Sequence, residues 1–334
     1  MTPRTCLLVC LVPAVLGSTA CDISVPGPGS EGAEGRFDRT LTVAGPVDLE
    51  VRTGSGDVQV RAGGTGSVEV HGIVRAGFGH WIGFGDGNPA DRIKEIEANP
   101  PIEQNGNTIR LGADRERRSW NNVSVSYQIV VPPGTKILAR SGSGDVQIGE
   151  VNGPVDASTG SGDIRMGRVA EGVQANTGSG DIELAGARSA VARTGSGSIR
   201  ALSIGGNLTA HSGSGDIAVA QEAAGHIDIS TGSGSVDVRG ARGPVRVRAS
   251  SGDVSVAGTP SDAWDLSASS GSIDLQLAAD AGFDLDAHTG SGSVESSFPI
   301  SVSGEIKKGQ LRGQVRGGGP RVGVSTSSGD IRIR

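Results

Sequence analysis

Of the 334 residues, 56 are glycine and only 3% are aromatic; 36 acidic and 30 basic side chains leave a net charge of −6. So few large side chains exclude a layered α/β enzyme or a helical bundle of this length, and the strict placement of the 35% apolar residues excludes a disordered chain. Only Lys94, Lys136, Lys307 and Lys308 are lysines and the arginines form no run, so no nucleic-acid partner is expected.

Residues 1–20 read as a signal peptide. Arg4 is the only charge, an apolar stretch runs from Leu7 to Leu16, and the small residues Gly17, Ser18, Thr19 and Ala20 follow. The stretch is too short to span a bilayer and Pro13 interrupts it. Leu16-Gly-Ser-Thr-Ala-Cys21 resembles a bacterial lipobox, with Ser18 where leucine is usual. Two fates stay open: lipidation at Cys21, giving a membrane-tethered lipoprotein of the bacterial cell envelope, or an unmodified thiol on a periplasmic or secreted protein. Cys6 and Cys10 leave with the leader, so no intrachain disulfide is expected. Residues 21–36 are rich in Pro, Gly and Glu without periodicity and read as a tether.

Residues 37–70 read as the first strands. Leu41, Val43, Val47, Leu49 and Val51 alternate into Thr53-Gly-Ser-Gly-Asp57. Regularity stops over 71–122, an irregular insertion or cap. Within it, Phe78, His80, Trp81 and Phe84 lie among glycines and have two readings: a plug for the mouth of the fold, or an exposed contact for a ligand. Asn88-Pro89 followed by Asp91 starts a short helix with Ile93 and Ile96 on one side. Asn105-Gly106 turns a hairpin between Ile102 and Leu111.

Residues 123–334 read as regular repeats. The unit Thr/Ser-Gly-Ser-Gly-Asp/Ser-Val/Ile-x-apolar places its Asp/Ser at Asp145, Asp163, Asp181, Ser198, Asp216, Ser235, Asp253, Ser272 and Ser293. The spacings are 18, 18, 17, 18, 19, 18, 19 and 21, with outlying copies at Asp57 and Asp330. Apolar residues alternate on both sides of each Gly-Ser-Gly corner but out of phase across it, and a third apolar residue sits six past the corner at Val151, Val169 and Ile204. One coil cannot bury its inner face alone, whereas parallel stacking at ~4.8 Å per rung closes a continuous core. The fold class is therefore all-β: a parallel β-solenoid, a right-handed single-stranded β-helix with coils of about 18 residues. A thin lumen suits Val, Ile, Ala and Thr and leaves no room for Phe or Trp.

Val125-Ser-Tyr-Gln-Ile-Val-Val-Pro-Pro-Gly134, the tandem Thr-Gly-Ser-Gly-Asp-Ile/Val and the closing Val324-Ser-Thr-Ser-Ser-Gly-Asp-Ile-Arg-Ile333 together resemble one bacterial β-strand-repeat family, labelled "putative adhesin" and of unknown function. The resemblance spans roughly 37–334. It implies an extracytoplasmic β-solenoid, often membrane-tethered, and supplies no catalytic residues.

The chemistry read from the residues agrees with a binding role. A Gly-x-Gly-Asp ladder in which Ser replaces Asp at Ser198, Ser235, Ser272 and Ser293 is a poor calcium cage, since calcium takes six to eight oxygens. The corner Asp or Ser is expected instead to accept backbone N–H bonds within its own corner. His71, His80, His211, His226 and His288 are scattered without metal-ligand spacing. Neither catalytic residues nor a cofactor are expected. The function that follows is a non-enzymatic, adhesin-like envelope protein that binds envelope glycan or another surface protein and meets the membrane through Cys21. The alternative is a carbohydrate-active β-helix enzyme.

Overall fold

A computed structural model describes residues 33–76, 89–112, 123–302 and 308–334, which carry 27 strands and one helix. The alternation in the sequence is what each strand buries. In Val155–Thr159, Val155, Ala157 and Thr159 point inward, while Asp156 and Ser158 face out. Before the corner, each strand pairs in parallel with the same segment of the next repeat. Val155 lies opposite Val173, and the column continues through Ala190, Leu208, Ile227, Val245 and Trp264. After the corner a second parallel ladder stacks Val146, Ile164, Ile182, Ile199, Ile217, Val236, Val254 and Ile273. A short third line joins Val151, Val169, Ala187 and Ile204, all buried. Like residues thus stack on like. Each branched side chain that disappears into such a column stabilises the stack by about 1.5–3 kcal/mol, which a lone repeat could not gain. The result is an all-β, predominantly parallel open sheet.

Rung order departs from chain order at both ends. Asp48–Thr53 pairs with Lys136–Ser141, and Val58–Ala62 with Val146–Ile148, so the Asp57 copy joins the Asp145 copy across the whole insertion. Val123–Val131 does not continue the repeats. It lies on the far side of Val58–Ala62 and runs antiparallel to Ser67–Ala76, which in turn pairs with Ala33–Thr42. The hairpin Ile102–Asn105/Thr108–Leu111 closes the other ladder on Asp48–Thr53, with Gly106 at φ +60° in its turn. The helix Pro89–Ala98 buries Ile93 and Ile96 over Gly35, where a Cβ would stand 2.2 Å from Ile93 Cγ2. Glu97 of that helix accepts the Arg36 N–H at 2.8 Å, satisfying a group on the edge strand.

At the C-terminal end, Phe283–Ser291 is not laid on Trp264–Ser270. Arg321–Ser328 lies between them, parallel to both. Likewise Ile331–Ile333 separates Ile273–Leu277 from Val294–Ser296. Gln310–Val315 then runs antiparallel to Phe283–Ser291, and Ile300–Val302 antiparallel to it in turn. The segment 321–334 is a rung inserted into a stack that was laid down before it.

The core also holds rings that its composition argued against. Trp264 and Phe283 are fully buried. The indole N–H of Trp264 donates to Gly243 O at 2.9 Å, so its polar edge costs nothing, and its ladder neighbours are the smaller Val245 and Val322. Phe283 meets Phe298 edge-on at 5.6 Å, and Phe37 meets Tyr127 at 6.4 Å at the opposite end. Ring volume goes where the stack meets its caps and where the inserted rung meets the regular ones.

Candidate functional site

The corner is the most repeated chemistry in the chain, and the structure shows what it is used for. Thr159 donates its hydroxyl to Gly144 O of the rung below at 2.8 Å and accepts the N–H of Gly162 in its own corner at 3.2 Å. Thr177 and Thr194 do the same. Asp57 accepts the N–H of Asp145, Asp145 that of Asp163, and Asp163 that of Asp181, at 2.9–3.0 Å. These carboxylate bonds run between rungs, not within one corner as the sequence led us to expect. The reason is the glycines. A Cβ on Gly162 would stand 2.2 Å from Gly144 O, so rungs approach closely enough for a short carboxylate to reach the next backbone.

Across the stack the corner residues read Asp57, Asp145, Asp163, Asp181, Ser198, Asp216, Ser235, Asp253, Ser272, Asp330, Ser293. Serine follows serine in the chain at 272 and 293. The inserted segment puts Asp330 between them, and alternation from Asp181 onward is complete. Asp330 Oδ1 accepts the Ser293 N–H at 2.9 Å and its hydroxyl at 3.0 Å. Those two bonds, then Arg332, hold the Asp330 carboxyl below its ordinary value. Where four acids stack without serine, Arg165 meets Asp163 at 2.6 Å and Asp145 at 3.6 Å.

The chemistry left over for a ligand lies on the outer face of the second ladder. One outward side chain per rung forms the column Gln128, Gln59, Gln147, Arg165, Glu183, Arg200. Beside it run Gly149, Gly167 and Ala185, with Leu202 beyond. Together they line a half-open trough of about 680 Å³. The three glutamine amides are exposed and make no hydrogen bond among the described residues. Arg61 and Arg200, also lining it, have no carboxylate within 4.0 Å among the described residues. Leu202 is 39% exposed, rare for a large apolar side chain here, and the next residue, Ser203, holds φ +50° without being glycine. Among the described residues no three His, Cys, Asp or Glu side chains are placed to hold a metal ion, and no helix is long and apolar enough to cross a membrane.

The sequence-based site residues Cys21, Phe78, His80, Trp81 and Phe84 lie outside the described residues. The trough escaped sequence reasoning because Gln128 was read as part of the regular repeats, whereas its strand Val123–Val131 pairs with Val58–Ala62 and so sets it beside Gln59.

Residues 91–334 match the family model described as Toastrack DUF4097. The chain belongs to that family. This Toastrack chain is also similar in fold to three solved structures. One is a "putative adhesin" from Bacteroides fragilis, 13% identical, with 92% of this chain and 100% of that one covered at a TM-score of 0.34. Another is a "Putative lipid binding protein" from Parabacteroides distasonis, 13% identical, 91% and 99% covered, TM-score 0.44. The third is a "putative cell adhesion protein" from Clostridium sporogenes, 10% identical, 90% and 99% covered, TM-score 0.18. These likenesses carry no functional argument. No curated protein matches the chain.

Proposed function

We propose that this Toastrack chain is a non-enzymatic binding scaffold of the bacterial cell envelope. In this reading residues 1–20 export it, lipid on Cys21 and the tether 21–36 hold it at the membrane, and a right-handed β-solenoid with coils of about 18 residues displays its ladder faces to envelope glycan or another surface protein. The observation that supports it is where the corner groups go. Threonine hydroxyls and aspartate carboxylates, the groups recurring most often, are turned onto neighbouring backbone and build the stack. What faces outward is a flat array of side chains in register, suited to holding a repeating ligand.

The test has two arms. Mass spectrometry of the protein from a bacterial host should find diacylglycerol on Cys21, and Cys21→Ala should leave the membrane fraction; an unmodified Cys21 thiol on the mature chain would remove the anchor from the proposal. The full chain should also co-sediment with purified envelope without releasing new reducing ends. Their release would replace the binding reading by a carbohydrate-active enzyme.

A further inference from the structure

We infer that the trough on the second ladder recognises an extended, carboxylated glycan chain lying along the stack axis, an inference that rests on the binding reading above. The side chains of one column recur at the strand spacing of about 4.8 Å. Gln128, Gln59 and Gln147 therefore present the same amide three times in a straight line across the strands. A compact ligand meets one of them; a chain of repeating units running along the axis meets all three.

The lining is also chemically complementary to a sugar chain. A primary amide both donates and accepts, which suits sugar hydroxyls, and these three amides have no hydrogen-bond partner among the described residues. The charged lining is Arg61, Arg165, Arg200 and Glu183, with His71 held by Asp38 at 2.6 Å and Glu183 3.9 Å from Arg165. Arg165 is already held by Asp145 and Asp163, so it fixes the wall and does not bind. Arg61 and Arg200 have no carboxylate partner among the described residues, and each can take a carboxylate with two parallel hydrogen bonds. A neutral glycan would leave both unused.

Local rules are also broken here. Gly149, Gly167 and Ala185 keep the floor low enough for sugar rings to approach, and the exposed Leu202 ends it. Ser203 beside it holds a left-handed backbone where the equivalent position two rungs on, Gly240, is glycine at φ +71°. An apolar side chain in water and a strained residue next to it are the kind of exceptions that mark functional surfaces.

The experiment titrates the full-length protein with polygalacturonate and, in parallel, with neutral dextran. We expect polygalacturonate to bind and to weaken as salt rises, and dextran to bind at least tenfold more weakly. Gln59→Ala/Gln147→Ala and Arg200→Glu should each weaken polygalacturonate binding at least tenfold with unchanged melting, since all three side chains are exposed. Arg248→Glu, on the outer face of the first ladder, should leave it unaltered. Equal binding by the trough variants, equal loss in Arg248→Glu, or dextran binding as tightly as polygalacturonate would each overturn the assignment. If the trough variants still co-sediment with envelope as the wild type does, the trough falls and the binding reading stands. If the wild type binds neither polysaccharide nor envelope, both fall.

Discussion

Between Val155 and Ser270 every rung lies on the one the chain has just made; between Phe283 and Ile333 it does not. In the first region, paired positions are 17–19 residues apart, corners stack carbonyl over glycine, and each rung up to Val245–Ser251 pairs with its sequence neighbours. That is the quasi-one-dimensional arrangement of repeat proteins, in which stability is a sum of neighbour terms. In the second region, the chain passes one rung position by, turns back through two antiparallel strands and fills the gap with its last residues. The difference shows what ends a stack of this kind. A parallel ladder always leaves an open edge that would pair with another chain. Here Gln310–Val315 lies antiparallel on the last parallel strand of the first ladder, and the inserted rung ties that cap to the regular region from within.

The strongest way to break the comparison is to remove the inserted rung. Deletion of 321–334 should strip Phe283–Ser291 of its parallel neighbour and have the largest effect. Hydrogen exchange should show amides of 283–302 and 310–315 losing protection while those of 155–250 keep theirs. Unchanged melting would mean that Phe283–Ser291 can settle directly on Trp264–Ser270, and that the insertion is dispensable.

A milder perturbation uses one clash in each region. A Cβ at Gly162 or at Gly329 would in either case stand 2.2 Å from the carbonyl oxygen of the adjacent rung. Gly162→Ala should cost the whole domain about 1–3 kcal/mol, the scale of overpacking, because rungs on both sides are fixed by the chain. Gly329→Ala should act locally, raising exchange in 321–334 and its partners before the regular rungs respond. Gly64→Ala, with nothing within 4 Å, is the neutral control. If the two clashing variants lose protection over the same residues, the regions are not separable.

The smallest effect isolates the corner bond at the junction. Asp330→Ser should loosen the Ser293 corner and leave the corner at Asp163 untouched, whereas Asp330→Asn keeps an acceptor and should do less. The pH dependence has a definite sign. The Asp330 carboxyl is held below its ordinary value of 3.8, so its contribution is fully present above that pH and fades as pH falls through the lower folded value. The wild type should therefore lose tail protection in acid more steeply than Asp330→Ser. Parallel acid limbs would remove Asp330 from the account.

Much of this was legible in the residues, for reasons that differ by element. Ile93 and Ile96 after Asn88-Pro89, and Asn105-Gly106 between two short strands, announced a helix and a hairpin because capping and turn chemistry act over a few residues. The buried faces of the repeats were readable because alternation is a property of a single strand. Trp264 was misjudged because composition describes the average coil, while a ring needs only one rung where its N–H finds a carbonyl. The copies at Asp57 and Asp330 could be recognised, but not placed. At the C-terminal end the last spacing of 21 and the succession of Ser272 by Ser293 were the marks of irregularity.

By itself, then, the sequence determined which side chains each strand buries, where the chain turns, and that the strands stack in parallel. Which strand lies beside which at the two ends, and hence the alternation around Asp330 and the row of Gln128, Gln59 and Gln147, was decided by the tertiary structure. Burial of a face depends on residues two apart in one strand and can be read locally. Pairing depends on which arrangement leaves the fewest open edges and unsatisfied backbone groups in the whole stack, and that sum is taken over residues far apart in the chain.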